Sequence, residues 1–382
     1  MEPIAASTPT QVRPHPDRPT WVEIDRAALA QNVRTLAKLA HPAGLMAVVK
    51  ANAYGHGAVA VAQTALAHGA SWLGVATLSE ALTLRRAGIT APILVLGYLP
   101  GWQAEQAIAH NIRATIFNRA VLQDFSRAAQ HLNQTARLHL KIDTGMGRLG
   151  LLPPDVLPFV QAAGLPGVEL EGIFTHFGRA DEADLQPARA QLRRFQTVLN
   201  DLSAHNLCPP VIHAANTAAA LTLPEARFTL VRAGIGLYGL APSPDAPLPP
   251  EMRPALHFKT TIAQVKTLPP DSPIGYGATY RTRGHETIAI IPVGYADGFR
   301  RAPANWGSVL VRGRRAPLVG RVSMDQSAIN VSYIPGVRQG DEVVLIGQQG
   351  KRRISVEEVA ARLGTINYEV VSQILARVPR LN

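Results

Sequence analysis

The stretch LMAVVKANAYGHG, Leu45 to Gly57, decides how the chain is read. Its first five residues are a short apolar run, the pattern of a strand buried on both faces. Lys50 then stands where the strand should end, followed by Ala-Asn-Ala, Tyr54 and Gly-His-Gly. Lysine is among the residues least often buried without a partner. Its place at a strand end therefore asks what lies there for an amine to meet.

Seven further runs of the same kind follow: WLGVAT, PILVLG, RATIF, RLHLKID, LEGIFTHF, VIHAAN and LVRAGIGLYG. Helical stretches separate most of them, among them AVAVAQTALAHG, LSEALTLRRAG and ARAQLRRFQTVLNDLSAH. Thr77 and Glu80 have the spacing of a capping box at the start of the second of these. Eight βα repeats with buried strands predict an α/β fold, a (β/α)8 TIM-type barrel. A doubly wound open sheet is the alternative, and it usually has fewer strands. The proline-rich segment from Ala241 to Pro254 reads as a linker. Beyond it, FKTTIAQVKTL, TIAIIPVGYADG, GSVLVRG, SAINVS and DEVVLIG predict a mostly β C-terminal domain. One helix interrupts it after Ser355, with Glu358 spaced for a second capping box. The predicted organisation is a loose tail over 1–19, a barrel over 20–249 and the β-rich domain over 250–382.

The 382 residues are 47% hydrophobic and 17% charged, an ordinary globular composition long enough for two domains. No apolar run approaches the roughly 20 residues that span a bilayer. The first twenty residues have no apolar core of a secretory signal, so a cytoplasmic location is expected, with no membrane partner. The only cysteine, Cys208, excludes an intramolecular disulfide and a multi-cysteine metal centre, and no metal is expected. The net charge of +11 raises nucleic-acid binding. The basic residues are scattered, and the denser runs Arg312–Arg315 and Lys351–Arg353 read as turns between strands. The reading is therefore no nucleic acid, with a modest pull on anionic small molecules.

In a barrel, chemistry gathers at the C-terminal strand ends. Lys50 comes from the first predicted strand, Arg148 follows the fifth, and His176 ends the sixth. Asn216 and Thr217 end the seventh, and Arg232, Gly234 and Ile235 belong to the eighth. A strand-end lysine can condense with an aldehyde, and a Gly-Ile-Gly turn offers backbone N–H groups to a phosphate. An aldehyde carrying a phosphate suggests pyridoxal 5′-phosphate, PLP. Each signal alone has a plainer reading: a surface lysine, a simple turn, a satisfied core histidine.

Taken in order, AVVKANAYGHG, KIDTGMGRLG, THFGRAD, HAANTAA, RAGIGLYG, IGYGATY, IPVGYADGFRR, VGRVSMDQ and TINYEV resemble the alanine racemase family from about Trp21 to the C-terminus. The resemblance implies PLP as cofactor, alanine as substrate, D-alanine supply for peptidoglycan, and a homodimer whose active sites are shared between subunits. It implies that Lys50 holds PLP and is one catalytic base, with Tyr276 from the partner subunit as the other. It assigns Tyr54, Thr217, Gly234, Ile235 and Tyr368 to the phosphate and Arg232 to the pyridine nitrogen. His176 would support Arg232, Arg148 would meet the cofactor and the substrate carboxylate, and Met324 would add a backbone contact. Asn216 stands in the same motif as Thr217 and is counted with the cofactor residues. Lys141 would be carbamylated, with an ordinary lysine of lowered pKa or a partner of Asp143 as the alternatives. Where this chain has Thr217, several family members have serine. Three other functions are weighed: a broader-specificity amino-acid racemase, a barrel-type PLP decarboxylase and a non-enzymatic PLP-binding protein.

Overall fold

The computed structural model describes residues 18–381. The chain divides into two units, one of residues 26–255 and one made of the segment up to Asp25 together with Leu256 onward. Of the tail expected over 1–19, residues 1–17 lie outside the described residues. Arg18 is held by an ion pair to the buried Asp297 at 2.5 Å.

Strand β1 (Thr20–Ile24) precedes the barrel in sequence but is not part of it. The barrel unit contains β2 (Gly44–Val48), β3 (Trp72–Val75), β4 (Ile93–Tyr98), β5 (Ile112–Ile116), β6 (Ala136–Lys141), β7 (Val168–Phe174), β8 (Val211–His213) and β9 (Leu230–Ala233). All eight predicted strands are present. They form one parallel sheet in the order β8-β7-β6-β5-β4-β3-β2-β9. Between β8 and β9 the seam is bridged by Thr229 N–H to Ile212 O and Arg232 N–H to Ala215 O, both at 3.0 Å. The runs are apolar because both faces are covered: Met46, Leu94 and Leu230 form one buried cluster. Each such side chain contributes about 1.5–3 kcal/mol by leaving water.

The helices form where their end signals say. Leu78–Arg86 begins on a complete Thr77–Glu80 capping box. Ser355 caps Val356–Leu363 by accepting from Glu358 N–H at 3.1 Å. The second expected box is only half formed, because the Glu358 carboxylate turns to the Arg315 guanidinium instead. A charge-assisted pair outcompetes the return bond to one neutral N–H. Arg312 is likewise engaged by Asp341, at 2.8 Å.

The other unit is a strongly β structure around a ten-stranded sheet. Strand β10 (Leu256–Thr261) pairs antiparallel with β1 from Thr20–Thr260 to Ile24–Leu256. β1 therefore belongs to this sheet, whereas the sequence reading begins the barrel domain at residue 20. Trp21 and Val22 are buried in it, the Thr20 and Thr260 hydroxyls meet at 2.8 Å, and Glu23 binds Lys259 at 2.8 Å. The segment read as a linker is anchored near its C-terminal end. Asn32 fixes its end by bonding both Arg253 O, at 2.9 Å, and Arg253 N–H, at 3.0 Å. Among the described residues no helix is long and apolar enough to cross a membrane.

Candidate active site

β2 ends at Val48, two residues before Lys50. Lys50 instead opens a short turn, Lys50–Tyr54, in which Ala51, Asn52, Ala53 and Tyr54 all have φ of 52–54°. This is one turn of left-handed helix built from residues with a Cβ. Such a conformation costs about 1–2 kcal/mol per residue, so roughly 4–8 kcal/mol over four. Strain of this size persists only where the surroundings over-determine it. Here Ala53 N–H reaches Val49 O at 2.8 Å, Gly57 N–H reaches Asn52 O at 2.9 Å, and Ala58 N–H reaches Asn52 Oδ1 at 2.8 Å. At the head of the turn, Ala51 N–H donates to Glu80 Oε1 at 2.7 Å.

The Lys50 side chain is solvent-accessible at the barrel mouth, yet its pKa is lowered. Surrounding protein is the main cause, with the Arg148 and Arg232 guanidiniums adding to it and Glu80 opposing it. Both effects disfavour the charged ammonium.

Arg232, on β9, is 4% exposed. Its Nη1 donates to His213 O at 2.9 Å and to His213 Nδ1 at 3.1 Å. Its Nη2 faces Thr175 O at 2.9 Å, Ala214 O at 3.0 Å and His176 Nδ1 at 3.2 Å. Five acceptors thus take up the four Nη hydrogens, and among the described residues none takes the Nε–H. Burial pushes its pKa down to about 9, still above neutrality.

Below Arg232 runs a buried column. His213 Nε2 meets His139 Nδ1 at 2.9 Å, and His139 Nε2 meets Glu171 Oε2 at 3.2 Å. Arg113 grips the same carboxylate at 3.0 and 3.2 Å. Burial first, then the Arg232 guanidinium, keep His213 neutral, and burial does the same for His139. Burial would raise Glu171, but its bonds to His139 and Arg113 outweigh that and bring it to about 2.

Lys141, at the end of β6, is 6% exposed. Its pKa falls to about 8 through burial, then Arg232, Arg148 and Lys50, with Asp143 opposing. The Phe174 ring lies 5.3 Å from its Nζ and 5.4 Å from the Arg232 guanidinium carbon, while His213 stacks on the ring at 4.6 Å. Asp143 is occupied with the next loop: it accepts from the N–H groups of Gly145, Met146, Gly147 and Arg148 at 2.8–3.1 Å. That loop presents the exposed Arg148.

Thr217 Oγ1 accepts from Gly234 N–H at 2.9 Å and Gly236 N–H at 3.4 Å. A Cβ on Gly234 would lie 2.7 Å from the Tyr54 hydroxyl, so the two surfaces meet only because residue 234 has no side chain. Ile235 is buried beside them. Asn216 Oδ1 caps the helix Thr217–Thr222 by accepting from Ala219 N–H at 2.9 Å. Tyr54 is buried against Tyr238, at 5.0 Å between rings, and burial raises its pKa.

The remaining expected residues lie in the other unit. Tyr276 is 67% exposed, with the Arg301 guanidinium 5.9 Å from its ring centre. It shares an open cavity of about 600 Å³ with Tyr295, Arg301, Met324 and Asp325. Tyr368 is half-buried on the helix Asn367–Ser372.

Sequence reasoning passed over Glu80, Arg113, His139, Glu171 and His213 as site residues. A signal existed for two of them. In RLHLKID, Arg137, His139 and Lys141 alternate on one face of β6, which is unusual for a barrel strand. Glu80 was noticed only as a capping residue.

Residues 24–242 match the family description "Alanine racemase, N-terminal domain", and 255–382 match "Alanine racemase, C-terminal domain". The alanine racemase of Symbiobacterium thermophilum is 48% identical over 364 residues, covering 95% of this chain and 97% of its own. A solved alanine racemase from Clostridium difficile 630 superposes with a TM-score of 0.91 at 37% identity, covering 96% of both chains. A histidine racemase from Leuconostoc mesenteroides subsp. sake superposes at 0.88 with 30% identity, covering 96% and 99%. The eight-stranded barrel, the β-rich second unit and these matches over nearly the full length establish that the chain belongs to the alanine racemase family, whose members depend on pyridoxal 5′-phosphate.

Proposed function

We propose that this protein is a PLP-dependent alanine racemase that interconverts L- and D-alanine with two bases. The observation that carries the reading is the convergence of Lys50 and Arg232 on one barrel rim, where Arg232 is clamped by five acceptors with its Nε–H left over. The residues present fit the cofactor. Lys50 is an amine of lowered pKa, suited to condense with its aldehyde. Thr217 and the glycine N–H groups of 234 and 236, with Tyr54 and Ile235 beside them, suit its phosphate, joined by Tyr368. Arg232 suits its ring nitrogen as a donor, and His176 braces Arg232. Asn216 serves by holding Thr217 at the head of its helix.

Bound PLP supplies the electron sink that makes the α-proton of an amino acid removable. The chain supplies the proton transfers and the orientation. Lys50 takes or returns the α-proton on one face as a neutral amine. Tyr276 of a second copy does so on the other, with the Arg301 guanidinium over its ring. Arg148 holds the substrate carboxylate and Met324 adds a backbone contact. Lys141 is carbamylated in this reading: its neutral amine attacks CO2, a C–N bond forms and one proton leaves, giving an anion beside Arg148. A pKa of about 8 leaves about half of the amine neutral at pH 8, against well under 1% for an ordinary lysine.

The reading includes a homodimer with shared sites, supported by the exposure of Tyr276, Tyr295, Met324, Ile366 and Leu375 on the β-rich unit. D-alanine supply for peptidoglycan in the cytoplasm is the cellular role that fits. The second reading is a racemase for another amino acid, favoured by the similarity to a histidine racemase. Incubating the PLP-loaded protein with L-alanine, L-serine and L-histidine and following optical rotation decides between them. Racemisation of L-alanine well ahead of the other two supports the proposal; no turnover of L-alanine would overturn it.

A further inference from the structure

Glu80 does two things at once. As the third residue of its helix, it closes the capping box: Oε2 accepts from Ala76 N–H at 2.7 Å and Thr77 N–H at 3.3 Å. Its other oxygen, Oε1, leaves the helix altogether and accepts from Ala51 N–H at 2.7 Å. A helix cap does not require that second bond. Ala51 is the first of the four left-handed residues after Lys50. Tyr54, the last of them, meets Gly234. The turn thus sets the separation of the Lys50 amine and the Tyr54 phenol.

We infer that Glu80 is a positioning residue for Lys50, its carboxylate pinning the head of the strained turn and so fixing Lys50 relative to Tyr54. The inference rests on the reading of Lys50 as the cofactor's anchor. Three N–H donors converge on two carboxylate oxygens, and no neutral side chain of this length reproduces that. A glutamine has one acceptor oxygen, and its amide nitrogen would face an N–H donor. Charge adds to geometry. Lys50 faces Arg148 from the loop after β6, Lys141 from β6, His176 after β7 and Arg232 from β9, and Glu80 is the carboxylate that opposes them.

The test compares Glu80→Gln with Thr77→Ala. The second variant removes the half of the capping box that does not touch the turn. Amide hydrogen exchange is read at Ala51, and PLP capture on Lys50 is read by borohydride reduction and peptide mapping across a pH series. In Glu80→Gln, exchange at Ala51 should rise about tenfold or more, the factor expected when a charge-assisted hydrogen bond is lost. The midpoint of Lys50 capture should also move to lower pH, because the opposing negative charge is gone. Thr77→Ala should change neither. Glu80→Asp, one methylene short but still charged, should release Ala51 while keeping the capture midpoint, and it serves if the glutamine variant does not fold. Exchange at Ala51 in the Glu80 variants no faster than in Thr77→Ala would overturn the inference. The two ideas fail separately: capture at another lysine sinks the cofactor reading, whereas unchanged Ala51 exchange sinks the brace whichever lysine is captured.

Discussion

Nδ1 of His213 accepts a hydrogen bond from Arg232 Nη1 at 3.1 Å, and this contact sets every proton beneath it. A guanidinium only donates, so His213 Nδ1 carries a lone pair. The neutral ring then has its hydrogen on Nε2 and donates to His139 Nδ1. His139 in turn donates from Nε2 to Glu171, a carboxylate that only accepts. Arguing upward from Glu171 gives the same assignment. The column is one-directional, and it holds the guanidinium with a lone pair always facing it.

Both histidines should therefore be Nε2-protonated neutral tautomers at pH 7. Nitrogen-15 imidazole shifts in labelled protein check this directly. In Glu171→Gln the amide can donate as well as accept, so the enforced direction is lost and mixed tautomers are expected, with a loss of about 1–3 kcal/mol in stability. An Nδ1-protonated His213 in the unaltered protein would contradict the chain of donors.

Lys50→Ala should abolish the visible absorption band of the bound cofactor and reduce racemisation by at least about 1,000-fold, because anchor and base are lost together. Spectrophotometry and a racemisation assay read the two effects. A cofactor found reduced onto another lysine would refute the assignment.

Tyr276→Phe should retain the cofactor band and lose about 100- to 10,000-fold in rate, the range for removing a general base. Mixing inactive Lys50→Ala chains with inactive Tyr276→Phe chains should restore part of the activity. One of the two sites in each mixed dimer would then be whole. No recovery despite proven subunit exchange would rule out a shared site.

Lys141→Ala should lose most activity, with partial rescue by small carboxylates such as acetate. An anion beside Arg148 is what the carbamate contributes. Density from crystals grown in bicarbonate should show a planar group on Nζ. A bare ammonium there would refute the carbamate.

Stability should fall in two stages on acidification. His139, His176 and His213 have folded pKa values below 6.5, chiefly through burial. Below pH 6.5 the unfolded chain binds protons that the folded chain refuses, so stability drops as pH falls through that value. Glu171 has a folded pKa of about 2 against 4.5 unfolded, so its contribution is complete above 4.5 and is lost between 4.5 and 2. The full shift corresponds to about 3.4 kcal/mol, reduced to about 1–3 by its partial contact with water. Urea midpoints measured from pH 8 to pH 3 should show both steps, and Glu171→Gln should shrink the second, the rest of which comes from other carboxylates held below their ordinary values, such as Asp143 and Glu23.

How much of this was legible in the chain differs residue by residue. The eight barrel strands were, because a strand buried on both faces is apolar along its whole length, and that is a local property. So were Lys50, His176, Thr217 and Arg232, since polar groups interrupting such runs stand out at their ends. The cap of Leu78–Arg86 was legible because both partners lie within four residues.

Other features are decided by register and by distant chain, and no local pattern records them. Thr20–Ile24 is a strand in either sheet by composition, and only its pairing with Leu256–Thr261 assigns it to the second unit. The left-handed turn is invisible in Lys-Ala-Asn-Ala-Tyr, because alanine and tyrosine ordinarily avoid that conformation. Its first amide is held by a carboxylate 29 residues away. The column from Arg232 to Arg113 joins residues of β9, β8, β6, β7 and β5, and its proton order arises only when those five strands stand side by side. Sequence by itself determined which groups could do chemistry at the strand ends. The tertiary structure decided which hydrogen each of them offers, since a buried donor's direction is set by the acceptors packed around it.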